Sequence, residues 1–231
     1  MNDRFIGFCG DIHGELKKLV WLLVERYKLS KGSLIVAGDF GAGFGRPGSM
    51  EVLYNSVRKR LEKADITIYV VRGNHDNPSY FDGEHNYPYL KFLEDHKVVE
   101  IESKTIYPVG GAVSIDQKDR IEWNNKSKSF GSRKRWWWEN EEPIKKLKDL
   151  PTVVDYIVSH EAPLSFEPVI VRKTEDLSIW TKILDTRRYL DQILFNVRCS
   201  RWFHGHYHKS SSGAYGDILY RGLDIEEIII L

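Results

Sequence analysis

Arg72-Gly73-Asn74-His75-Asp76 sets a glycine, an amide, an imidazole and a carboxylate side by side. The asparagine oxygen offers a neutral ligand to a cation, and His75 offers a ring that titrates near neutrality. By itself the motif reads equally well as a polar turn. Four further stretches break the tie: Gly10-Asp11-Ile12-His13-Gly14, Gly38-Asp39, Ser159-His160-Glu161-Ala162-Pro163 and Gly205-His206-Tyr207-His208. Imidazoles mixed with carboxylates suit Mn, Fe, Zn or similar first-row ions rather than calcium or a thiolate site. Asp11 and His13, like His206 and His208, stand two apart, so an extended backbone points both members of a pair the same way. Asp11, His13, Asp39, Asn74, His75, His160, His206 and His208 together exceed the needs of one ion. Two ions sharing a carboxylate is the economical arrangement.

Each stretch follows an apolar run that must position it. Arg4–Cys9, Ser33–Ala37, Ile66–Val71, Val153–Ser159 and the start of Arg201–His208 are rich in β-branched and aromatic residues and predict strands. Leu16, Leu19, Val20, Leu23 and Val24 recur at helical spacing within Glu15–Tyr27, and a second amphipathic helix is expected over Met50–Lys63. Strand, helix, strand, helix, strand is the pattern of right-handed βαβ crossovers. Beyond Asp76 the pattern shifts to shorter pieces: a short helix near Tyr89–Asp95, strands at Lys97–Ile101 and Thr105–Val109, and a helix over Arg187–Cys199. Ala214–Tyr220 and Ile225–Leu231 read as late antiparallel strands. The expected fold is α/β, with one helix-covered sheet packed on a second sheet of more antiparallel character.

At 231 residues, 42% hydrophobic and 29% charged, the chain fits a soluble globular protein, and no linker divides it, so one domain over residues 1–231 is expected. A net charge of +1 gives no global pull toward nucleic acid or membrane. Cys9 and Cys199 are too few for a disulfide framework. Without a secretory leader or a membrane-length apolar run, a cytoplasmic location is expected.

In their order and residues, Gly10-Asp11-x-His13-Gly14, Gly38-Asp39, Gly73-Asn74-His75-Asp76, His160 and Gly205-His206-x-His208 resemble the five motifs of the calcineurin-like metallophosphoesterases. The resemblance implies a four-layer α-β-β-α double β-sandwich. It implies one ion on Asp11, His13, Asp39 and His208, and a second on Asp39, Asn74, His160 and His206, with Asp39 as the bridge. It also implies hydrolysis of phosphate esters by a hydroxide held between the ions, manganese being the first choice of metal and Fe, Zn, Ni or Co the others. His75 would then protonate the leaving oxygen or steady the phosphoryl group, and Asp76 would orient His75. The second motif lacks the Val-Asp-Arg-Gly ending of protein Ser/Thr phosphatases, and Asp76 stands where they carry glutamate, which argues against a phosphoprotein substrate.

A phosphomonoesterase is the simplest activity. The alternative is a phosphodiesterase or nuclease, prompted by a Trp/Arg/Lys-rich insertion at 117–142 with Trp123, Arg133, Lys134, Arg135, Trp136, Trp137 and Trp138, which could stack on a nucleotide or nucleic acid or simply pin a lid. A metal-free protein-binding scaffold is a third reading, disfavoured by the full ligand set. Arg46, Arg72 and Arg120 are candidate contacts to the phosphoester substrate. His85, His96 and His204 are expected to be structural, the first two in exposed settings.

Overall fold

The computed structural model describes residues 4–127, 138–166 and 174–231. Strand β1 (Phe5–Cys9), β2 (Gly32–Val36), β3 (Ile66–Val70) and β4 (Leu90–Phe92) run parallel in one sheet, closed on its far side by the antiparallel β11 (Ile228–Ile230). The second sheet has the order β5 (Val99–Ile101), β6 (Lys104–Val109), β7 (Tyr156–Ser159), β8 (Arg201–His204), β10 (Ile218–Gly222), β9 (Ser211–Tyr215). Its four inner strands are mutually parallel and only the outer pairs are antiparallel.

Alternation along the strands builds the layers. Ile6 and Phe8 of β1, with Ile35 of β2, face the other sheet and meet Ile106, Tyr156, Val158 and Phe203, while Cys9, Leu34 and Val36 face outward. Phe8 and Phe203 stack with centroids 3.7 Å apart and planes within 8°, joining the two sheets. Each such ring, fully withdrawn from water, contributes about 1.5–3 kcal/mol. Helix α1 (Leu16–Trp21, continuing as a wider turn to Arg26) and α2 (Ser49–Ala64) cover the first sheet through Leu19, Leu23, Val57 and Leu61. Helix α4 (Leu177–Asn196) covers the second through Leu190, Ile193 and Leu194 against Trp202. The result is the α-β-β-α sandwich.

Four elements differ from expectation. Tyr89–Asp95 holds no helix; Leu90 and Phe92 are buried on either side of Lys91, a period of two that lets β4 pair with the edge of β3. The helix expected at Arg187 begins at Leu177, where the Asp176 carboxylate accepts from the Ser178 and Ile179 amides and caps it. Ala214–Tyr220 is a hairpin turning at Gly216, not one strand, whereas Ile225–Leu231 supplies the expected antiparallel strand, β11. Finally, Gln117–Ser127 forms helix α3 inside the segment expected to be loop. No residue from Gln117 to Glu122 is fully buried, so no apolar period marks that stretch in the sequence.

Candidate metal centre and substrate pocket

All five motifs follow the carboxyl ends of parallel strands: Asp11 and His13 after β1, Asp39 after β2, Asn74 and His75 after β3, His160 after β7, His206 and His208 after β8. Side chains from both sheets therefore gather at one rim of the sandwich, where open α/β folds place ligands. The backbone is bent to achieve this. His13, Asp39, His206 and His208 have φ of 46°, 47°, 70° and 49°, a conformation costly for residues with a Cβ and concentrated at functional sites. Two glycines give the carboxylates room. A Cβ on Gly73 would lie 2.0 Å from the Asp39 amide nitrogen, and one on Gly205 would lie 2.3 Å from Asp11 Oδ1.

Among the described residues, donor atoms lying within 4.8 Å of one another form two groups: Asp11, His13 and His208, and Asp11, Asp39 and His160. In the first, His208 Nε2 lies 3.0 Å from Asp11 Oδ2 and 3.1 Å from His13 Nε2. In the second, His160 Nδ1 donates to the Ala37 carbonyl at 2.7 Å, which turns Nε2 toward Asn74 Oδ1 at 2.8 Å and Asp39 Oδ1 at 3.4 Å. His206 does not join either group. Its amide donates to Asp11 Oδ1, and its ring Nε2 faces Glu161 Oε2 at 3.8 Å.

These residues fit divalent cations on electrostatic grounds. Asp11 and Asp39 are buried, and burial opposes their charge, yet the surrounding histidines hold both carboxyls below the usual range, Asp39 well below. Burial opposes charge on His160 too, but Asp39 and Asp11 outweigh it and push the ring up to about 10. The site demands positive charge where two oxygens and a nitrogen meet. Glu161 adds to the demand: it is fully buried and its Oε2 has no hydrogen-bond partner.

Asp76 does not orient His75. It accepts from the amides of Phe40, Gly41, Ala42 and Gly73 at 2.7–3.2 Å, so it gathers the loop after Asp39 around one buried carboxylate. Burial, then the nearby charge of Asp39, push its pKa up to about 6 against those bonds. The partner of His75 is Arg120 on α3, whose Nη1 lies 2.6 Å from His75 Nδ1 and whose Nε holds Asp116 at 2.8 Å. Burial chiefly, with Arg120 and neighbouring rings, pushes His75 down to about 4 against the pull of Asp39.

Arg72 is no substrate contact. It is buried, paired with Asp95, and donates to the carbonyls of Gly110, Asn140, Glu141 and Glu142. Arg46 is exposed on its loop and does not line the pocket beside the Asp11 and Asp39 cluster. That pocket, about 310 Å³, is walled by Asp39, His75, Arg120, Ile115, Ile183 and Tyr207. His96 is buried rather than exposed, bonded to Tyr107 and Ile144, and His204 is buried beside Phe166 and Tyr207. Arg133 to Trp137 lie outside the described residues.

Four residues, Ser114, Glu141, Tyr207 and Glu161, escaped the sequence reading. Ser114 accepts from Asn74 Nδ2, Glu141 accepts from Ser114, and Tyr207 donates to Glu161. Burial pushes the Glu141 carboxyl up to about 7. Only Glu161, next to His160, carried a signal by position.

The sandwich gathers at one rim imidazoles and carboxylates that could hold metal ions, the fold and residue set of an α/β phosphoesterase. A family model of the calcineurin-like phosphoesterases matches residues 6–210, and the chain belongs to that family. No curated protein matches the sequence. Among solved structures the chain is similar to the phosphopantetheinyl hydrolase of Mycobacterium tuberculosis, at 14% identity over 96% of this chain and 91% of that one, TM-score 0.45. It is also similar to the protein TT1561 of Thermus thermophilus, at 13% identity over 97% of this chain and 90% of that one, TM-score 0.48. In the described residues no helix is long and apolar enough to cross a membrane.

Proposed function

We propose that the chain is a two-metal phosphomonoesterase. The observation that supports this best is the convergence of His13, His160 and His208, drawn from both sheets, on the buried carboxylates of Asp11 and Asp39. Asp11, His13, Asp39 and His208 would hold one ion; Asp39, Asn74, His160 and His206 would hold the other, with His206 turning from Glu161 to do so. The ions, when bound, supply a water acidified toward neutrality and offset charge on the phosphoryl oxygens.

The side chains do the rest. His160 keeps its Nδ1 hydrogen on Ala37, so that with an ion bound in place of the Nε2 proton it would offer the Nε2 lone pair. Arg120 would grip the phosphoryl oxygens, its guanidinium already at the mouth of the pocket beside His75. A phosphoryl dianion there would counter the effects of burial and of Arg120 on His75, so that the ring holds a proton for the leaving oxygen. Ile115 and Ile183 offer apolar wall to the alcohol. A volume of about 310 Å³ is at the small end for ligand sites and favours a monoester.

The test is turnover of p-nitrophenyl phosphate and its bis ester after chelation and reloading with Mn²⁺. Faster cleavage of the monoester supports the assignment. Preference for the bis ester or an oligonucleotide would make it a diesterase. No turnover of any of them with Mn, Fe, Zn, Ni or Co would overturn it.

A further inference from the structure

The side-chain amide of Asn74 can present oxygen or nitrogen to the metal centre, and only oxygen can bind a cation. Something must choose. Asn74 Nδ2 lies 2.8 Å from Ser114 Oγ, and Ser114 Oγ lies 2.6 Å from Glu141 Oε2. Above about pH 7, where Glu141 is ionised, its carboxylate only accepts, so the Ser114 hydroxyl hydrogen goes to Glu141 and the Ser114 lone pair faces Asn74. Asn74 must answer with its NH₂, which leaves Oδ1 toward His160 and Asp39. The other Glu141 oxygen is engaged as well, accepting from the Ser114 amide at 3.0 Å and Gln117 Nε2 at 2.9 Å. Asn74, Ser114 and Glu141 are each no more than 3% exposed, so water does not compete.

Glu141 itself stands on a fixed post. The Ala112 amide donates to its carbonyl, and Arg72, paired with Asp95, binds the carbonyls on either side of it. We propose that Glu141 and Ser114 are positioning residues that lock Asn74 with Oδ1 toward the second ion. This rests on Asn74 being a ligand of that ion. Without the lock, the serine hydrogen is free to point at Asn74 and draw Oδ1 away from the site.

The experiment is stepwise Mn²⁺ binding to the full chain, followed by calorimetry and by the electron-paramagnetic signal of a coupled pair. Ser114→Ala and Glu141→Gln should weaken the second step about 10–100-fold and leave the first within about twofold. In Glu141→Gln the new NH₂ faces one of the donors that the carboxylate had accepted from, so the polarity of the chain is broken without loss of shape. Ser114→Thr keeps the hydroxyl and should restore wild-type binding, which a loss of packing alone would not produce. Asn74→Ala is the control for the underlying assignment. If it weakens the second step while Ser114→Ala does not, the lock is refuted. If Asn74→Ala also leaves that step unchanged, Asn74 is no ligand, and both the ligand set and the lock fall. Should Glu141→Gln not fold, the Ser114 pair decides alone.

Discussion

His160 follows a strand of one sheet and Asn74 a strand of the other, yet His160 Nε2 lies 2.8 Å from Asn74 Oδ1. With the Nδ1 hydrogen committed to Ala37, an imidazole nitrogen and an amide oxygen confront each other beside Asp39. Positive charge reconciles them, and two sheets packed through Phe8 and Phe203 hold them there.

His75 sits beside Asp39 at 3.7 Å but bonds to Arg120. His75→Ala should lower kcat by about 10²–10⁴-fold while both ions stay bound. Arg120→Ala should act mainly on KM, by about tenfold or more, as expected for a charge-assisted contact to phosphate. Steady-state kinetics with metal analysis of each variant decides; loss of metal from His75→Ala would make that ring a ligand instead.

Asp76 is the anchor of the loop after Asp39. Asp76→Ala leaves four buried amides without an acceptor and should cost about 3 kcal/mol or more in urea unfolding. Unaltered stability with reduced kcat would return Asp76 to the role of orienting His75.

The five motifs were legible because each candidate ligand lies within a few residues of the apolar strand that carries it, as Asp11 does after Phe8 and Cys9. The layers were legible too, through helical spacing in Leu16 to Val24 and the apolar β-branched runs of the strands. What could not be read depends on distant partners. Leu90–Phe92 becomes a strand only because the edge of β3 is open to it. Asp76 reads as a partner for its neighbour His75, whereas four amides, three of them more than thirty residues away, claim it. Glu141 is 27 residues from Ser114, and Arg72, a plausible phosphate grip by sequence, is taken by Asp95 and backbone carbonyls.

His96 gives the protein an acid sensitivity unrelated to metal. Burial lowers its pKa, opposed by its bond to Ile144: Nε2–H donates to that carbonyl and Nδ1 accepts from Tyr107, an arrangement of the neutral ring. A folded pKa below the unfolded value of about 6.5 means that this stability is present above pH 6.5. It is lost as pH falls from there through the folded value, because the unfolded chain takes the proton first. His96→Gln should therefore flatten the fall in urea midpoint between neutral and mildly acid pH. An unchanged slope would show that His96 is not protonated on unfolding.

Metal content of the loaded chain, measured by mass spectrometry in wild type and in Asp39→Ala, bears most directly on the site itself. The expected result is about two divalent ions per wild-type chain and at most one in Asp39→Ala, since the bridge serves both positions. Full stoichiometry in Asp39→Ala, or no bound ion in the wild type, would contradict a centre assembled from these five strand ends.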